Sequence, residues 1–107
     1  MKSAKAGLGP YRLQHASVRR SGNFGPMLMS FKLNEKNTRF EQLGENGEVY
    51  VGCVIRCGSI SGRSYSSQDW WQTSLVQKIL FVKDKDNVRT ITVKTLNSIY
   101  YITGHLT

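Results

Sequence analysis

The chain has 107 residues with a formal net charge of +8 and 39% hydrophobic content, the length of one domain with one modest core and a surplus of cations. Its longest apolar run, Ile79 to Val82, falls far short of the roughly 20 residues a membrane helix needs. Two cysteines are too few for a disulfide-rich secreted scaffold.

The charge is uneven along the chain. Residues 1–34 carry Lys2, Lys5, Arg12, Arg19, Arg20 and Lys32 and no acid. Gly7, Gly9, Pro10, Gly22, Gly25 and Pro26 punctuate the same stretch, and no period of 2 or 3.6 is sustained from Met1 to Pro26. Residues 1–26 therefore read as an extended basic arm that tracks an anionic polymer or lies on a partner, with a solvated tail as the alternative. A secretory signal is not supported, because no apolar stretch of about 7–15 residues follows Lys2 and Lys5. Gly7, Gly9 and Pro10 also spoil the amphipathic helix of a mitochondrial presequence.

From Met27 onward alternation takes over, and residues 27–107 read as a small β domain. Met29, Phe31 and Leu33 fall on one side of a strand, with Ser30 and Lys32 on the other. Asn34 to Asn37 predicts a turn, and Arg39 to Leu43 a short second strand. Asn46-Gly47 is the type I′ hairpin signal. After it Val49, Val51, Cys53, Ile55 and Cys57 alternate with Tyr50, Gly52, Val54 and Arg56, which predicts one strand with Tyr50 and Arg56 on its outer face. Gly58 to Asp69 is a serine-rich polar loop. Trp71 to Lys83 reads as a long strand over a competing helix, and Asp84 to Asn87 as a turn. Val88 to Thr95 alternates again, Asn97-Ser98 is another turn, and Ile99 to Ile102 runs back antiparallel.

About five or six short strands joined by close turns predict an all-β antiparallel meander, closed economically as an SH3-like or OB-like barrel behind the arm. The Trp71 to Ile79 stretch and the Lys94 to Tyr101 hairpin resemble parts of small barrel proteins encoded by phages and other mobile elements. That resemblance carries no motif of known chemistry.

Catalytic and cofactor signatures are missing from this reading. Cys53 and Cys57 on one strand would stand about 13 Å apart, too far for a disulfide, and read as reduced core thiols. His15 and His105 do not complete a metal-ligand spacing, so neither a metal nor a cofactor is expected. The carboxylates sit mostly in predicted turns and offer no acid–base pair. The Gly58 to Ser67 loop has serines, glycines and Arg63 but lacks phosphate-loop spacing. Aromatics near cations carry more information: of Trp70 and Trp71, and of Tyr100 and Tyr101, one of each pair should face outward.

The candidate contact residues are Arg12, Arg19, Arg20, Tyr50, Arg56, Arg63, Tyr65, Trp70 and Trp71. They predict a binding module, leaning away from an enzyme, that contacts nucleic acid or another anionic partner through the arm and an aromatic, basic face. The alternative is a protein-interaction or self-associating accessory protein. Reduced thiols and the missing signal sequence favour a cytoplasmic location.

Overall fold

The computed structural model describes residues 2–18, 22–34, 36, 39–58 and 70–107. They form eleven antiparallel strands and no helix, so the all-β expectation holds. In chain order these are β1 (Ser3–Lys5), β2 (Leu8–His15), β3 (Gly22–Gly25), β4 (Met27–Asn34), β5 (Arg39–Leu43), β6 (Glu48–Tyr50), β7 (Val54–Gly58), β8 (Trp70–Gln72), β9 (Val76–Lys85), β10 (Val88–Thr95) and β11 (Ile99–His105). One sheet has five strands in the order β3-β2-β11-β10-β9, a second has four in the order β5-β4-β7-β8, and β1 pairs with β6. Among the described residues the ladders remain three separate sheets, without a single closed ring.

The core fills the space between the two larger sheets. Leu13, Ile91, Val93 and Ile102 come from the inner face of the five-stranded sheet, Leu28, Ile55 and Cys57 from the four-stranded one, and Val49 from β6. All are fully buried. Trp71 packs against this cluster and meets Tyr100 edge to face, 5.5 Å between ring centroids.

The basic N-terminal stretch differs from the expected free arm. It supplies β1, β2 and β3, and β2 lies inside the five-stranded sheet with Leu13 opposite Ile102. Alternation is present there after all, with Tyr11 and Leu13 buried and Arg12 exposed. It is confined to the second half of β2, and glycines and Pro10 on either side obscure it.

Three strand expectations are corrected. The stretch Val49 to Cys57 breaks after Tyr50, where Gly52 takes a φ of +90°, so β6 and β7 enter different sheets. Likewise Trp71 to Lys83 divides between β8 and β9, which belong to opposite sheets. On β4 the parity is reversed: Leu28 and Ser30 are buried, while Met29, Phe31 and Leu33 lie on the outer face. Ser30 tolerates burial because its hydroxyl donates to the Glu48 carbonyl at 2.9 Å and accepts from the Tyr50 amide at 3.1 Å.

Asn46-Gly47 does not make a hairpin. Only Gly47 of the pair has positive φ, and β5 and β6 pair with β4 and β1 rather than with each other. The Asn46 amide instead anchors the turn, accepting from the Leu28 amide at 2.7 Å and donating to the Pro26 carbonyl at 3.0 Å. The type I′ geometry occurs at Asp86-Asn87, with φ of 51° and 64° between the paired Lys85 and Val88.

Candidate functional site

Each large sheet has one face on the core and one facing outward, and the two outer faces differ in chemistry. On the five-stranded sheet the register sets side chains in rows across the strands. Phe24, Arg12, Thr103, Thr90 and Lys83 form one row. The next contains Gln14, Tyr101, Thr92 and Phe81. Beyond it, Ile99 and Lys78 flank Lys94. These positions share a face because directly opposed residues in an antiparallel ladder point the same way.

The rings on this face are open to solvent: Phe24 is 62% exposed, Phe81 67% and Tyr101 41%. Arg12, Lys78, Lys83, Lys85 and Lys94 are all exposed as well. Among the described residues the ion pair is confined to Arg89 and Asp84, so these five cations are unpaired. None of the described carboxylates occupies a strand position on the face; Asp86 sits in the hairpin turn at its end and lines a depression there with Lys83, Lys85, Val88 and Thr90.

Arg89 lies on the opposite side of β10. Its Nε and Nη2 donate to the two Asp84 oxygens at 2.7 and 2.9 Å, and Nη1 donates to the Lys5 carbonyl at 3.2 Å. The guanidinium holds the Asp84 carboxyl below its ordinary range. This pair fastens the β9–β10 hairpin to β1, and its charge is satisfied internally.

The outer face of the four-stranded sheet is a second, more apolar cluster. Arg56 stands opposite Met29 on one side and Gln72 on the other. Its guanidinium carbon lies 4.3 Å from the Phe31 ring centroid, 4.8 Å from Trp70 and 5.3 Å from Phe40, within cation–π reach of all three. Nε donates to Gln72 Oε1 at 2.7 Å, and partial burial lowers the arginine from its usual range. Trp70 Nε1 is buried and has no hydrogen-bond partner among the described residues.

The sequence candidates are therefore dispersed. Arg12 lies on the outer face of the five-stranded sheet. Arg56 and Trp70 meet on the other sheet, and Trp71 turns inward. Tyr50 donates to Glu48 Oε2 at 2.6 Å and packs over the Gly44 turn, away from the rings around Arg56. That hydrogen bond and the glutamate's charge raise the Tyr50 hydroxyl above its ordinary pKa. Arg19, Arg20, Arg63 and Tyr65 lie outside the described residues, as does nearly all of the serine-rich loop.

Phe24 is absent from the sequence candidates, and so is the row that Tyr101, Thr92 and Phe81 make. The parity of Val88 to Thr95 and of Ile99 to His105 was the available signal for that row, and its missing part was the order of the strands. Cys53 and Cys57 are free and buried, and burial pushes the Cys57 thiol up to about 12. Among the described residues no three His, Cys, Asp or Glu side chains are grouped to hold a metal.

Comparison with known proteins finds no matching family, no similar curated protein and no matching solved structure. The functional reading rests on the two faces.

Proposed function

We propose that this protein binds nucleic acid through the outer face of its five-stranded sheet. One observation carries the reading: five unpaired cations and three exposed rings share a face that has no carboxylate at its strand positions. Cations so placed release condensed counterions from phosphates, and rings so placed offer flat apolar surface to bases. The N-terminal stretch takes part as sheet, through Arg12 and Phe24. In this reading the two packed sheets act as an open version of the SH3-like or OB-like barrel. The protein is a binding module without catalysis, working in the cytoplasm, where Cys53 and Cys57 stay reduced.

The test is fluorescence anisotropy of the whole chain with labelled single-stranded and duplex DNA and RNA at 50 and 200 mM salt. Five phosphate contacts give a log–log salt slope of about −3.5 to −4.5, hence an affinity loss of roughly 100- to 500-fold between the two salts. Arg12→Glu and Lys94→Glu should each weaken binding and flatten the slope. Failure to bind any of the four ligands at 50 mM salt overturns the reading.

A protein partner or a second copy of the chain is the other reading, favoured by the four-stranded face, where Leu33 and Phe40 are 45% and 42% exposed beside Arg56. It predicts an assembly in sedimentation velocity that tolerates salt and is lost in Phe40→Ser.

A further inference from the structure

Resting on the nucleic-acid reading, we propose that the ligand of the five-stranded face is single-stranded RNA, bound with its bases unstacked onto Tyr101, Phe81 and Phe24. Tyr101 and Phe81 occupy one row with Thr92 between them. Two strand spacings separate them by about 10 Å. Phe24 lies two strands to the other side of Tyr101 and one row along, about 12 Å away by the same spacings.

Successive bases in a duplex are about 3.4 Å apart along each strand, far closer than these rings. A duplex therefore cannot place consecutive bases on them, and its bases are already stacked on one another. A single strand with splayed bases can reach ring after ring while its phosphates lie over Arg12, Lys83 and Lys94.

The centre of the face selects ribose. Thr92 stands between Tyr101 and Phe81, and in the adjoining row Thr103 and Thr90 stand side by side between Arg12 and Lys83. Their hydroxyls make no hydrogen bond among the described residues, although all three side chains are half-buried. Each hydroxyl can both donate and accept, as can the 2′-hydroxyl, the one group that distinguishes RNA from DNA at such a position. The threonines are too short to reach far above the sheet, so they address the sugar of a strand already held down by the flanking rings.

The test uses labelled 12-nucleotide oligo(U), the deoxy oligomer of the same base sequence, and a 12-base-pair duplex, titrated against the full chain. The expected order is ribo-oligomer tightest, deoxy-oligomer weaker by about 3-fold or more, and duplex weakest. Tyr101→Ala and Phe81→Ala should each weaken oligo(U) by about 5- to 100-fold with the salt slope unchanged, while Tyr101→Phe keeps the affinity. Both rings are exposed, and a circular-dichroism spectrum checks that the variants fold. Thr92→Val should narrow the ribo-to-deoxy ratio without changing deoxy binding.

Duplex binding equal to single-strand binding, with Tyr101→Ala and Phe81→Ala silent, overturns the stacking and leaves the nucleic-acid reading standing. Equal ribo and deoxy affinity overturns the choice of RNA. Absence of binding to all three ligands overturns this inference together with the reading beneath it.

Discussion

Ser30 shows how one hydroxyl decides which side of a strand faces inward. Its side chain satisfies the Tyr50 amide and the Glu48 carbonyl, so a serine sits in the core while Phe31 stays outside with Arg56. Ser30→Ala leaves that partly buried amide unpaired and should cost about 1–3 kcal/mol in urea unfolding. Cys57 supplies a pH dependence. Its buried thiol titrates near 12, against an ordinary value of 9.0, so the folded chain holds the proton more tightly than the unfolded one. The resulting stability is complete below about pH 9 and declines as the pH rises toward 12. Tyr11 and Tyr100 are also raised by burial and contribute to the same decline. The comparison is therefore between the native chain and Cys57→Ala: unfolding midpoints at pH 8, 9.5 and 10.5 should converge as the pH rises. A constant gap would show that the thiol is not the group responsible.

Elements with strict alternation and ordinary turns were legible in advance. Val88 to Thr95 keeps Ile91, Val93 and Thr95 inside, as its pattern predicts, because both its neighbours in the sheet, β9 and β11, are local in sequence. Elements whose partners lie far away were not. Nothing in Val49 to Cys57 announces that the chain changes sheets at Gly52, since alternation continues through the break. The Tyr101, Thr92 and Phe81 row lies on strands adjacent in sequence, but Arg12 and Phe24 could not be added to its face, because the place of β2 beside β11 is a long-range pairing.

Close backbone crossings are the other unseen determinant. A Cβ at Gly104 would overlap the Ala6 carbonyl, where the β1–β2 corner lies directly on β11. Gly104→Ala should therefore cost about 1–3 kcal/mol, read as a lowered melting temperature. Gly52 has open space around it and a φ of +90°, so Gly52→Ala should lose only the roughly 1–2 kcal/mol of a left-handed backbone. A loss of well under about 1 kcal/mol at Gly104→Ala would mean that the crossing at Ala6 can relax.

For the whole molecule, the N-terminal third is where charge and architecture coincide. A removable arm would leave the folded domain intact when residues 1–26 are deleted. With β2 between β3 and β11 and Leu13 in the core, that deletion should instead abolish cooperative unfolding, as followed by circular dichroism and dye binding to exposed apolar surface. A cooperative transition in the shortened chain would restore the arm. The same placement affects binding experiments, because a truncated chain that fails to bind reports loss of the fold rather than loss of a contact. Single substitutions at Arg12 avoid that ambiguity.

The pairing of β2 with β11 also sets a timetable for synthesis. Leu13 is made early, yet the strand it lies against, with Ile102 opposite, comes some ninety positions later. Until residues 99–105 have left the ribosome, the edge of β2 that pairs with β11 stays open. The five-stranded sheet, and with it the whole outer face, is completed only by a long-range closure, the kind of contact that makes β folds slow. An emerging chain thus presents its cations and its unpaired strand to the surroundings well before the outer face exists. Among the first large polyanions it meets is the RNA of the machine that makes it.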